Sequence, residues 1–246
     1  MSGLPQVHPA GKPAHSPPDA RHQSITVNHR LTVFIEQPPE FVRKLYPSAV
    51  WRMDPDERAV YLTFDDGPIP EVTPWVLDLL DKYDIKATFF MVGDNIRKHP
   101  DEFQMVVERG HRIGNHTFNH LRGFEYNFKD YLANAEKANE VMKTDLFRPP
   151  HGHMGWTQYM ILKRRYKIIM WDLVTRDYSK KLRGPQVLAN VMRYARNGSI
   201  ITFHDSLKSW NNGNLQYALP RAIEFLKEEG YEFRLLSVSY THLRAH

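Results

Sequence analysis

Val60-Tyr61-Leu62-Thr63-Phe64-Asp65-Asp66-Gly67-Pro68 is a short β-branched and aromatic run that ends on two carboxylates and a Gly-Pro turn. Such a run reads as a strand, which puts the carboxylates at its C-terminal end. Neighbouring side chains on an extended strand point to opposite sides. One carboxylate can then hold a metal while the other stays free to take a proton, the division of labour that metal-assisted hydrolysis needs. Asp-Gly-Pro is also ordinary turn chemistry, so the rest of the chain has to choose between these readings.

The same unit recurs downstream. Strand-like runs appear at Val60–Phe64, Ala87–Val92, Arg112–Gly114, Leu146–Phe147, Lys167–Trp171, Ser199–Phe203 and Glu232–Leu235. Helical periodicity fills the gaps. Val76, Leu77, Leu79, Leu80 and Tyr83 mark the first apolar face; Phe103, Val106 and Val107 the second; Tyr131, Ala135, Ala138 and Met142 the third. Tyr159, Met160 and Leu162, then Val187, Leu188, Val191 and Tyr194, then Leu219, Ala222, Ile223 and Leu226 mark the others, with Gly110, Gly198 and Gly230 as stops. Strict βα alternation predicts an α/β fold with a mostly parallel sheet, open or closed. The polar residues favour closure. Asp65 and Asp66, Gly93 and Asp94, Asn115 and His116, Arg148, Asp172, and His204 and Asp205 each follow a predicted strand. In a barrel those ends converge on one mouth, whereas an open sheet would spread them along an edge. The expected fold is therefore a distorted seven-unit (β/α) barrel, TIM-like, with its site at the C-terminal ends of the strands. Neither a Gly-x-Gly-x-x-Gly nor a phosphate-loop pattern occurs, which argues against a nucleotide fold.

Composition narrows the class further. The chain has 246 residues, a net charge of +5 and no cysteine, so disulfides and thiolate metal sites are excluded. Lys and Arg are scattered, with Lys163-Arg164-Arg165 the densest cluster, a pattern of solvated faces rather than of a nucleic-acid partner. No stretch has the length of a membrane span, and no basic start precedes an apolar core, which by default predicts a cytoplasmic chain. Residues 1–24, rich in Pro, His, Ser and Gly, predict a disordered tail. Residues 25–58 read as an extension packing on the barrel, with Ile25–Ile35 as a strand or hairpin over its bottom. The catalytic domain is expected over 59–238, and 239–246 reads as a non-native tail.

His116-Thr117-Phe118-Asn119-His120 sets two imidazoles four residues apart. If the stretch enters a helix, both lie on one face and can chelate one cation. Two His plus one carboxylate form an open metal triad. Zinc is the default occupant, and the same donors suit Fe, Co, Ni or Mn. The interior of this His-x-x-x-His carries no acid, so a base must come from elsewhere, and Asp65 supplies it.

These residues resemble the polysaccharide deacetylases of the NodB-homology type, carbohydrate esterase family four. The resemblance covers about residues 59–236 in order. Thr63–Pro68, His116–His120, Arg148-Pro149-Pro150-His151-Gly152, Asp177-Tyr178 and Phe203-His204-Asp205 are similar to its five motifs. It implies a divalent metal and hydrolytic removal of N-acetyl groups from N-acetylglucosamine-type sugars, a carbohydrate partner. Carried over by position, Asp66, His116 and His120 hold the metal. Asp65 is the general base and Arg148 orients it; His204 is the general acid, tuned by Asp177; the His151 amide helps hold the oxyanion. Three departures bear on substrate choice: His151 where Tyr is common, Tyr178 for Trp, and Thr202 for a Leu of the acetyl pocket. An O-acetyl esterase on xylan-type polysaccharide and an inactive sugar-binding module remain alternatives on the same fold. Trp75, Trp156 and Trp171 are expected in the core, and His99 and His111 as structural. Trp51, Phe124, Tyr126 and Trp210 are the candidates for a sugar subsite.

Overall fold

Strand β1 (Ala59–Asp65) is buried along its whole length, and its alternation assigns its two faces. Val60, Leu62 and Phe64 join the main core cluster between the sheet and its helices. There Phe64 stacks on Phe89 at 5.0 Å and on Phe203 at 6.2 Å. Ala59 and Tyr61 turn the other way, onto Phe90, Leu146, Ile169 and Ile200. Thr63 and Asp65 share that inner face by register, so an apolar floor gives way to polar groups toward the strand ends.

The computed structural model describes residues 36–237. The expectations for residues 1–24, for Ile25–Ile35 and for the tail at 239–246 lie outside the described residues. Around β1, the parallel strands β2 (Thr88–Met91), β3 (Arg112–Asn115), β4 (Leu146–Phe147) and β5 (Lys167–Ile168) follow on one side. On the other lie β7 (Ser199–His204) and β6 (Leu173–Val174), giving the order 5-4-3-2-1-7-6. The strand expected at Lys167–Trp171 is thus interrupted. Its first half pairs with β4, and β6, just beyond it, pairs with β7. One bent stretch of chain joins the two ends of the sheet, and this makes the fold a distorted α/β barrel. Val50 bridges to Ile169 and Arg52 to Ser199 across the same seam. The last predicted strand shrinks to β8 (Glu232–Phe233), which pairs only with the start of β1.

Helices α1 (Glu40–Lys44), α2 (Thr73–Lys82), α3 (Gly93–Lys98), α4 (Pro100–Glu108) and α5 (Phe128–Met142) are followed by α6 (Trp156–Leu162), α7 (Gly184–Tyr194), α8 (Leu207–Asn211) and α9 (Asn214–Glu228). None of the described helices is long and apolar enough to cross a membrane. The predicted faces are mostly buried, including Leu77 and Leu80 of α2 and Leu219, Ala222, Ile223 and Leu226 of α9. Val107 is an exception, exposed on α4. At Gly198 the backbone has φ +74°, and a Cβ would lie 2.5 Å from the Met53 carbonyl oxygen, so glycine alone fits that turn.

Three further expectations fail for packing reasons. Trp156, at the first turn of α6, is 59 % exposed, whereas Trp51 is buried in the second core cluster with Tyr46 and Tyr159. Asp172 does not belong to the mouth. It sits at the start of β6, fully buried, where it accepts from Arg196 at 2.6 and 2.9 Å, from Arg43 at 2.7 Å and from Ser199 at 2.8 Å. Ser199 opens β7, so this charge cluster ties the opposite end of the barrel. A cavity of about 720 Å³ at that end, lined by Trp51, Arg52, Tyr61 and Arg234, contains none of the predicted catalytic or metal-binding residues.

Candidate active site and metal centre

The register of β1 brings the strand ends together: Asp65 lies opposite His204 on one side and Phe90 on the other. Asn115 pairs with Phe147, so His116 and Arg148 follow on adjacent strands. Asp65 is 4 % exposed and accepts from Arg148 Nη1 at 2.6 Å. That guanidinium is fully buried and held on every side. It donates to Thr63 Oγ1 at 2.8 Å and to the carbonyls of Ile169 and Met170, and it lies 4.0 Å over the Phe90 ring. A fork fixed this way holds the carboxylate by a charge-assisted bond and leaves Oδ2 free.

Asp66 departs from the alternation expected of an extended pair. Its φ is +84°, a left-handed turn that Asp tolerates. The turn, rather than strand pleating, separates the two carboxylates, and both end up beside His116: Nε2 is 3.9 Å from Asp65 Oδ2 and 3.8 Å from Asp66 Oδ1. His120 decides between them, since its Nε2 is 3.1 Å from Asp66 Oδ1.

The histidine pair converges without a helix. Residues 116–120 form an irregular loop in which Thr117 and His120 have φ values of +64° and +55°. Asn115 Oδ1 accepts the Thr117 N–H at 2.8 Å, and Asn134 Oδ1 from α5 accepts those of Phe118 and Asn119 at 2.8 and 3.0 Å. Side-chain acceptors replace the helical ladder here. Asn134 and Asn95, whose amide donates to the Asp66 carbonyl at 2.7 Å, are the supporting residues that sequence reasoning missed, while Asn115 and Thr63 were named there without this supporting role. The Asn115-x-Thr117 spacing was the one local signal, for Asn115.

Asp66, His116 and His120 offer ligand atoms within 4.8 Å of one another, a group that can hold a metal ion. The chemistry of the donors fits. His116 Nδ1 lies 2.7 Å from the Arg148 carbonyl, and donating there leaves Nε2 as the free ligand atom. Burial, above all, pushes His116 down to about 4, so the imidazole is neutral as a ligand must be. Burial opposes the charge of Asp66, yet the His120 hydrogen bond and the surrounding imidazoles outweigh it and hold its carboxyl below the usual range. A cleft of about 280 Å³, lined also by Asp94, Asn95, Asn119 and Lys208, opens onto Asp66 and His120.

On the strand beside Asp65, His204 Nδ1 lies 2.8 Å from Asp177 Oδ1, and the His204 backbone N–H donates to Asp177 Oδ2 at 2.8 Å. Burial disfavours the imidazolium, but the Asp177 carboxylate, with Asp66 and Asp65 beyond it, prevails and lifts His204 to about 9. Tyr178 packs its ring edge-to-face on His204 at 4.7 Å. Thr202 is buried one layer below, its hydroxyl 3.1 Å from that of Thr63. His151, at φ +58°, packs edge-on against His120 at 4.8 Å. Phe124 and Tyr126 are exposed, Phe124 lying 5.2 Å from the His153 ring, while Trp210 packs against Trp75 at 5.4 Å. His111 is structural: buried, with Nδ1 accepting the Ala87 N–H at 3.1 Å.

Asp205 braces the turn that carries Asp66. It is fully buried, accepts from Gly67 N–H at 3.1 Å and from Thr73 Oγ1 at 2.7 Å, and burial above all pushes it up to about 8. A Cβ at Gly67 would lie 2.0 Å from its Oδ2. Gly67→Ala should therefore displace Asp205, cost about 1–3 kcal/mol as an overpacked site and weaken metal binding. Thermal unfolding with metal titration checks this; an unchanged melting temperature and affinity would refute the close fit.

The polysaccharide deacetylase family model matches residues 52–164. A peptidoglycan-N-acetylglucosamine deacetylase of Bacillus cereus is 33% identical over 203 residues, covering 78% of this chain and 93% of that relative. The peptidoglycan-N-acetylmuramic acid deacetylase PdaC of Bacillus subtilis is 28% identical over 76% of this chain, which spans only 39% of PdaC. Among solved structures, the Bc1960 peptidoglycan N-acetylglucosamine deacetylase, in complex with 4-naphthalen-1-yl-N-oxidanyl-benzamide, is 29% identical with a TM-score of 0.73, covering 80% of this chain and 94% of that one. The five ordered motifs, the barrel they ride on and a relative matched over nearly its whole length lead to one assignment: the chain belongs to the polysaccharide deacetylase family, the hydrolases of carbohydrate esterase family four.

Proposed function

We propose that this enzyme removes N-acetyl groups from N-acetylglucosamine-type polysaccharide, peptidoglycan or chitin-like, by metal-dependent hydrolysis. One observation carries the reading. A three-ligand cluster shares the strand ends with a carboxylate clamped by Arg148 and an imidazole clamped by Asp177, and the β1–β7 register sets these last two side by side. A proton acceptor and a proton donor held beside a metal-binding group are what hydrolysis of an amide requires.

Asp66, His116 and His120 would hold a divalent cation, zinc by donor type. When bound, it supplies Lewis-acid polarisation and makes water a nucleophile near neutral pH. Asp65, with Oδ1 occupied by Arg148, would take the proton of the attacking water on Oδ2. His204, protonated at neutral pH, would donate from Nε2 to the departing amine, while Asp177 keeps Nδ1 engaged. An amine anion is too poor a leaving group to depart without that proton. The His151 amide would contribute to the oxyanion site, and Tyr178 and Thr202 to the acetyl pocket. The relatives named for peptidoglycan support that substrate class. Acetate release from chitin oligomers, peptidoglycan and acetylated xylan, measured side by side, tests it. Release from xylan alone would replace the amide reading with the ester one, and release from none would overturn both.

The metal assignment is separately testable. Purified protein should contain one divalent ion per chain, removable by chelation. The His116→Ala, His120→Ala double variant should lose it. Elemental analysis gives the answer, and unchanged metal content in the double variant would sink the assignment.

A further inference from the structure

Two unfavourable features meet beside the candidate acid. Arg176 adopts φ +63°, a left-handed conformation that carries a steric cost for a residue with a bulky side chain. Its Nη1 donates to Glu36 Oε1 at 2.6 Å, and both side chains are largely buried, 12 % and 6 % exposed. Among the described residues, Glu36 Oε2 is buried without a hydrogen-bond partner. A buried ion pair is weak evidence for stability, because desolvation can exceed the Coulombic gain, and an unsatisfied carboxylate oxygen adds to that cost. Strained backbone persists only where its surroundings over-determine it, and it clusters at functional sites.

The neighbours show what the strain serves. Thr175 is tied to β7, its N–H and hydroxyl both donating to the Thr202 carbonyl at 3.1 and 3.0 Å. The chain reverses at Arg176, and Asp177 follows at once, with both carboxylate oxygens on His204. On the far side, Asn212 and Asn214 donate to the Asp177 carbonyl at 2.9 and 3.0 Å. Asp177 is therefore held from behind by the two asparagines and from in front by His204. The left-handed turn that aims it is fastened by Glu36, which lies outside the stretch matched by the family model.

We propose that Glu36 is a positioning residue: through its ion pair with Arg176 it holds the 176–178 turn that aims Asp177 at His204, and so sets the orientation of the general acid. The inference rests on the deacetylase reading only for the role of His204. The contact itself exists without substrate.

Two variants test it, Glu36→Gln and the double replacement Glu36→Met, Arg176→Met. Replacing both members of a buried ion pair by apolar side chains is often neutral or stabilising, so the double variant separates fold stability from aim. The two variants are compared with wild type on an N-acetylated chitin oligomer and on a nitrophenyl acetate. Both should lose roughly tenfold or more in kcat on the amide, a size typical of misplaced catalytic geometry. The activated ester, which needs little acid assistance, should stay within about twofold. The double variant should keep this defect even with a wild-type melting temperature. Imidazole ¹⁵N NMR of His204, assigned with His204→Ala, reads its hydrogen bond to Asp177 without any turnover and should change in both variants. An unchanged His204 signal overturns the proposal, as do equal losses on both substrates or an amide rate that recovers with stability in the double variant. Wild-type protein that cleaves no amide would instead count against the deacetylase reading, leaving the NMR comparison to decide the positioning role.

Discussion

Asp65→Asn should keep its metal and lose roughly 10²–10⁴ in rate, the size of a general-base effect. Asparagine is nearly isosteric, and its carbonyl oxygen can still accept from Arg148 where Oδ1 now does at 2.6 Å. What disappears is a group able to take a proton. Asp66→Ala should weaken metal binding itself, because its carboxylate, rather than that of Asp65, lies within hydrogen-bond distance of His120. The comparison is demanding, since the two carboxylates are almost equidistant from His116 Nε2, at 3.9 and 3.8 Å. Removing the charge at Asp65 also leaves the fully buried Arg148 guanidinium without its counter-ion. Breaking a buried pair costs on the order of 3–5 kcal/mol, so a lowered melting temperature should accompany the lost rate. Metal content, steady-state rate and thermal unfolding of the two variants settle the division of labour. Equal loss of metal in both would show it to be wrong.

His204→Ala should abolish amide deacetylation while sparing much of the hydrolysis of an activated acetyl ester. A nitrophenolate leaves unprotonated and gains little from an acid, whereas an amine must be protonated as it departs. The environment of His204 supports this role. Burial alone would favour the neutral ring, but Asp177 and the carboxylates beyond it lift it to about 9, so it carries its proton at neutral pH. Asp65→Asn should lower both activities together, because water must lose a proton on either substrate. Rates on an N-acetylated oligosaccharide and on a nitrophenyl acetate, for each variant, make the test. Equal losses on both for His204→Ala would mark His204 as part of the oxyanion site or as structural.

Much of this was legible along the chain. A β-branched and aromatic run identified β1, and the 3.6-residue spacing in α2, α5 and α9 marked the faces that are buried. The candidate ligands, base, Arg148 and His204 stood at strand ends, and closure of the sheet brought them together. Short apolar runs carry less information. Lys167–Trp171 read as one strand because periodicity cannot show that pairing with β4 stops partway and that β7 is taken up only just beyond the run, at β6. Trp51 and Trp156 were exchanged in role because burial of a lone aromatic depends on what packs over it, which local pattern does not encode.

Sequence alone therefore determined the βα alternation, the chemistry of the strand ends and the order of the motifs, since these follow from side-chain type and local spacing. Tertiary structure decided the rest. The left-handed turn at Asp66 is held by Asp205, Phe90 and Asn95 from distant elements. The His116–His120 loop is capped by Asn134 from α5 rather than wound into a helix. Asp172 faces the opposite end of the barrel because two arginines and Ser199 neutralise it there. Each of these depends on a partner many residues away, whose hydrogen bond or charge makes a locally unfavourable conformation the stable one.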